Sequence, residues 1–230
     1  MLAIVPWQVY RQVRLGLEVL EHLRTGFGRQ LLRNTTSFAE GRSRAEVYLG
    51  YACICGLDEK VIIQLIEEFG ASDLARACRF AAMSNHVEVI DFLVDRYQAD
   101  VTAGCLHNAA SHGFLGLIDH LVRNYGIDPA APHYKDGGTA LHYAADSGNV
   151  TAIRYLVEKH HVDPNIRDIY QETALTVARR FGYNECATLL REYMGVTEDE
   201  DEPLGFGIGM PLPDFVEDPE GGLVLQCGIM

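Results

Sequence analysis

The 230-residue sequence contains no run of about 18 consecutive apolar residues, so no stretch of it reads as a membrane span. Its opening, MLAIVPWQVYRQVR, is no signal peptide, because Pro6 breaks the apolar run and the arginines follow it instead of preceding it. The six cysteines (53, 55, 78, 105, 186 and 227) lack the spacing of a disulfide framework and read as thiols in a reducing compartment, cytoplasmic or nuclear. Lys and Arg are absent from residues 196–230, which hold nine acids. Residues 1–45 carry seven Arg against three Glu, so of the net −13 the middle, 46–195, keeps −8. An acidic body lacks the basic stripe that phosphate recognition needs, and nucleic acid is not expected as a partner.

Catalytic signatures are missing too. No phosphate-binding glycine loop, paired-carboxylate signature or nucleophile elbow appears. GFGIGM, at 205–210, follows an acidic block instead of a strand and opens no helix. Cys105, His107 and His112 are close in sequence but fall at a helix start and in a turn, which is not metal-ligand geometry. No cofactor or metal is expected.

What the sequence does hold is repetition. Cys53-Ile54, Ala81-Ala82, Ala109-Ala110, Ala144-Ala145 and Ala178-Arg179 occupy one site, and Leu65, Leu93, Leu121, Leu156 and Leu190 another. Both series step by 28, 28, 35 and 34 residues. Asn85, Gly113, Gly148 and Gly182 mark a turn needing positive φ, and the first repeat departs there, with Leu57 in register and Gly56 one place early. Five helix pairs over 46–195 follow. A 28-residue step leaves no room for a projecting finger, so only Gly126 to Gly138 and His161 to Gln171 form fingers, and the N-terminal half is nearly fingerless. Ahead of the repeats, Trp7, Tyr10, Val13, Leu17, Leu20 and Leu23 give a helix over 6–25 suited to capping the stack. An Arg-rich loop completes that N-terminal cap, residues 1–45.

The hexapeptide TALHYA, Thr139 to Ala144, resembles the ankyrin-repeat opening Thr-Pro-Leu-His-x-Ala in all but the proline, and Thr173-Ala174-Leu175 restarts it 34 residues on. The resemblance covers 46–195 and implies an all-α helical repeat solenoid with two β-hairpin fingers. It also implies that His107 and His142 tie neighbouring turns together through hydrogen bonds. The first finger has one extra residue before the next Thr. In the second, Gln171 stands where the family prefers Gly, so a less regular turn is expected.

Function by resemblance is non-enzymatic protein–protein interaction, by a monomer whose partner the sequence does not name. The candidate contacts are His133, Tyr134 and Lys135 on the first finger and Arg167, Asp168 and Tyr170 on the second, with Tyr143 and Asp146 on the concave side. Tyr134 and Tyr170 have two readings, binding or packing on the adjacent finger. Residues 196–230 form an acidic tail of disordered composition, with Leu204, Phe206, Ile208, Met210, Leu212 and Phe215 among its acids. That pattern allows an autoinhibited binder whose own tail fills the groove. Cys227-Gly228-Ile229-Met230 fits the prenylation pattern, making a membrane-tethered adaptor an alternative, although Gly228 is not aliphatic and no polybasic second signal accompanies it. Membrane contact is expected only if Cys227 is prenylated.

Overall fold

The computed structural model describes Leu20, residues 44–196 and the segments 215–217 and 223–225. Leu20 is helical. The rest of the expected capping helix, the arginines at 29, 33 and 42, most of the tail and Cys227 lie outside the described residues.

Five helix pairs fill residues 44–196. The inner helices are α1 (Arg44–Cys55), α3 (Leu74–Met83), α5 (Ala103–His112), α7 (Ala140–Asp146) and α9 (Ala174–Arg180). The outer ones are α2 (Glu59–Ile63, continued by a π-helical turn, Gln64–Glu68), α4 (Val87–Tyr97), α6 (Leu115–Tyr125), α8 (Val150–Glu158) and α10 (Asn184–Met194). Each inner helix packs on the next, α1 on α3 through to α9, and closes on its own outer partner. The inner helices can stack this closely because their facing positions are small: Ala52, Cys53, Ala81, Ala82, Ala109, Ala110, Ala144, Ala145 and Ala178 are fully buried. The leucine series Leu65, Leu93, Leu121, Leu156 and Leu190 is likewise sealed from solvent. Burying each such leucine contributes about 1.5–3 kcal/mol.

Capping residues start the helices where the sequence supplies them. Asp58 accepts from the Lys60 N–H, Asp73 from that of Arg76 and Asn149 from that of Ala152. Thr139 and His142 form a reciprocal capping box at α7. The turns between paired helices sit at positive φ at Asn85, Gly113, Gly148 and Gly182, as expected.

The first repeat requires a correction. Its left-handed turn residue is Gly56, and the Leu57 N–H donates to the Ala52 carbonyl as that of Phe114 does to Ala109. Ala52-Cys53, not Cys53-Ile54, is therefore the counterpart of Ala81-Ala82, and Ile54 is only half-buried. Gly56 then lies nine residues before Leu65, where Gly113 lies eight before Leu121. The link takes up the added residue: α2 is capped by Asp58 where α6 is preceded by Phe114, and the Ile62 N–H donates to the Asp58 carbonyl as that of Ile118 does to Phe114. Leu65 is therefore in register, accepting from Ala71 as Leu93 does from Ala99.

The two long links project as expected, but without strands. In the first, His133 donates to the Gly138 carbonyl and Gly137 to that of His133, both at 2.9 Å. In the second, Asp168 donates to the Glu172 carbonyl and Gln171 to that of Asp168. The extra residue of the first finger thus falls at its tip. A single backbone bond joins the tips, from the Ile169 N–H to the Asp136 carbonyl at 2.9 Å, too little for a ladder. Gln171 does not loosen its turn: it holds φ of 62° and the turn closes.

Beyond the repeats, Phe215–Glu217 pairs antiparallel with Leu223–Leu225, Val216 opposite Val224. The sequence reading assigned no element there. The two triplets, Phe-Val-Glu and Leu-Val-Leu, flank Asp-Pro-Glu-Gly-Gly, a turn-forming composition that the acidity of the surrounding tail obscured. Among the described residues no helix is long and apolar enough to cross a membrane, and no His, Cys, Asp or Glu cluster could hold a metal ion.

Candidate interaction site

The groove between the fingers and the inner helices is built from rows the repeat register predicts. Phe80, Asn108, Tyr143 and Val177 form one row, each just before the first alanine of its pair, and Met83, Ser111, Asp146 and Arg180 form another, each just after the pair. Both rows border two adjoining hollows that share Tyr143 as their common wall.

Tyr143 is fixed from both sides. Its ring stacks on His107 at 4.9 Å and 8°. Its hydroxyl donates to Asp136 Oδ2 at 2.8 Å, and burial together with that carboxylate pushes the phenol pKa up. Asp136 is the knot of the first finger: its Oδ1 accepts from the Gly138 N–H at 3.0 Å and faces His133 Nδ1 at 3.2 Å. Burial opposes its charge, but the Gly138 N–H, Tyr143 and His133 outweigh that and hold the carboxyl below its usual range.

His107 and His142 do what the resemblance implied. Nε2 of His107 donates to the Ala131 carbonyl and Nε2 of His142 to that of Glu172, each at 3.0 Å, so each inner helix carries the finger that follows it. Burial pushes the His107 pKa down to about 4 and lowers that of His142. Neutral imidazoles whose Nε2 is spent on a carbonyl are braces for the backbone.

The candidate contacts divide by exposure. Tyr134 is 77% exposed and Tyr170 62%, which removes the alternative that they pack on the adjacent finger. Lys135 lies over the Tyr134 ring at 5.6 Å, and Asp146 is exposed. The other candidates are occupied within the fold. His133 is half-buried, edge-on to His107 and Tyr143. Arg167 donates to the Gln171 carbonyl at 2.7 Å. Asp168 Oδ1 accepts from the N–H groups of Tyr170 and Glu172 at 2.8 and 2.9 Å, the bonds that hold Gln171 in its left-handed turn.

Some surface residues went unread in the sequence. Ile169, 58% exposed between Asp168 and Tyr170, was legible as an apolar residue in a polar finger. Arg76, Arg79, Phe80 and Met83 line the hollow beside the first finger, and the same registration that placed Tyr143 would have placed Phe80. Glu172, nearly buried, takes Arg180 Nη1 at 2.8 Å. No sequence signal distinguishes that pair from other charges of opposite sign.

Residues 106–200 match a family model described as ankyrin repeats (3 copies), the stretch holding the last three helix pairs. The espin-like protein of Homo sapiens is 46% identical over 56 residues, 24% of this chain and 6% of that protein. The NF-kappa-B inhibitor cactus of Drosophila yakuba is 31% identical over 129 residues, 53% of this chain and 26% of that protein. The mitochondrial liver-isoform glutaminase of Rattus norvegicus is 30% identical over 105 residues, 46% of this chain and 15% of that protein. The chain therefore spans between 6% and 26% of the length of these relatives.

Proposed function

We propose that this chain, whose residues 106–200 are ankyrin repeats and hence a protein–protein interaction module, is a non-enzymatic adaptor recruiting a partner protein through its two finger tips and the adjoining groove. The observation that carries the reading is the exposure of Tyr134, Ile169 and Tyr170 on tips held rigid by Asp136 and Asp168. Large side chains on pre-ordered turns lose little further entropy on binding and supply the contact area that dominates interface energetics. One relative in the comparison is by name an inhibitor of NF-kappa-B. The buried thiols Cys53, Cys78, Cys105 and Cys186 suit a reducing compartment, the cytoplasm or nucleus.

Affinity capture from cell lysate with the intact chain, beside a Tyr134→Ala/Ile169→Ala/Tyr170→Ala variant of unchanged circular dichroism, tests the reading. Arg167 and Asp168 are left in place because they hold the turn. A protein captured by the intact chain and lost by the folded variant is the expected result. Equal capture by both would remove the fingers from the interface.

A further inference from the structure

The two hollows that meet at Tyr143 carry opposite charge. Arg76, Arg79 and Lys135 border the one beside the first finger, together with Phe80, Met83 and Tyr134 and without a carboxylate. Asp136, Asp146 and Asp168 border the other, where the single cation, Arg180, is already ion-paired with Glu172. Among the described residues neither Arg79 nor Lys135 is in an ion pair, nor is Asp146. Three clustered cations are notable in a chain of net charge −13. Arg76 lies over the Phe80 ring at 5.0 Å and Lys135 over that of Tyr134, so cation and aromatic face are presented together at both edges of the basic hollow.

We propose that the groove takes an extended peptide of two-ended charge. An Asp or Glu with a neighbouring aromatic or Met side chain sits in the Arg76–Arg79–Lys135 hollow, and a Lys or Arg reaches Asp146 across Tyr143. The first hollow lies over α3 and α5 and the second over α7 and α9, two helix spacings apart. At about 8–10 Å per spacing and about 3.3 Å per extended residue, the acid and the base lie about five residues apart. Opposite charges at a fixed separation set register and reject peptides of uniform charge, since each wrong end meets like charge. Tyr143 is suited to being the partition because its ring is stacked and its hydroxyl bonded, so it need not move when the groove fills. The inference rests on the groove being part of the interface proposed above, and it adds the partner's chemistry.

Panning a phage-displayed library of random twelve-residue peptides on the full chain tests it. The expected consensus has Asp or Glu and Lys or Arg about five positions apart, with an aromatic or Met beside the acid. A fluorescent synthetic copy of the leading peptide should bind Arg79→Glu/Lys135→Glu and Asp146→Lys each about tenfold or more weakly. A copy with its acid replaced by Lys should regain binding to Arg79→Glu/Lys135→Glu. No enrichment, enriched peptides without the charge pair, or a peptide indifferent to both variants would overturn the proposal. If lysate capture still depends on Tyr134, Ile169 and Tyr170 while the charge variants change nothing, the adaptor reading stands and only the two-ended peptide falls.

Discussion

His107 and Tyr143 stack with ring centroids 4.9 Å apart and planes within 8°, joining helices α5 and α7 at the point where the first finger turns back. The bond from Nε2 of His107 to the Ala131 carbonyl favours the charged ring, but burial outweighs it and lowers the pKa from 6.5 to about 4, so the folded ring is neutral. Between those values the unfolded chain binds a proton that the folded chain refuses, so stability is full above about pH 6.5 and falls as pH drops toward 4. The loss amounts to about 3 kcal/mol. Urea unfolding midpoints from pH 7 to 4 should decline less steeply in His107→Gln than in the native chain. Asp136 and Asp163, held low, lose stabilisation with acid in both proteins, so the difference between the two curves isolates the histidine.

Glu172 and Arg180 give the opposite dependence. Burial raises the Glu172 carboxyl and Arg180 pulls it back. Arg180→Ala leaves a buried carboxylate uncompensated, at a cost of about 2 kcal/mol at pH 7. The cost of a carboxyl of raised pKa is full above that pKa and is lost as pH falls from there through the ordinary value of 4.5, so the deficit should shrink across that window and be gone below it. Adding Glu172→Gln should recover most of it at pH 7. Thermal melts at pH 7 and below that window read this directly.

Gln171 holds φ of 62° where glycine would be unstrained. Gln171→Gly keeps the carbonyl that Arg167 binds and removes the left-handed penalty, a gain of about 1 kcal/mol in chemical denaturation. A loss of stability instead would show that the Gln side chain makes a contact worth more than its strain.

The core and the finger tips should respond in contrast. Leu156→Ala, in the sealed leucine series, should cost about 3 kcal/mol. Tyr134→Ala and Tyr170→Ala should each leave stability within about 0.5 kcal/mol, as exposed positions do. A large loss at either tyrosine by differential scanning calorimetry would give it a packing role.

The repeat was legible because its core depends on residue size at fixed intervals: Ala109 and Leu121 recur as Ala144 and Leu156, and that spacing alone places them in contact. The finger positions followed from interval length. The first-repeat register was misread because Cys53-Ile54 and Ala52-Cys53 are both apolar pairs that begin with a small residue. Only the backbone reveals that the link before α2 carries an extra residue. The site was less legible. Asp168 and Arg167 look in sequence like surface charges available to a partner, and only their bonds to Tyr170, Glu172 and Gln171 show where those charges are spent. The basic hollow was missed because Arg76 and Arg79 sit on α3 and Lys135 more than 50 residues later on a finger. No window along the chain contains all three.

The link before α2 bears on how such a chain can change length. An added residue inside a helix would ordinarily rotate every later side chain by about 100°, turning core outward. Here the extra residue falls between Gly56 and the capping Asp58, ahead of the helix, so Ile62 and Leu65 keep the phase that Ile118 and Leu121 have and stay buried. Insertions placed in the short links are thereby absorbed before a helix begins, and the units can vary in length while their shared interior stays constant.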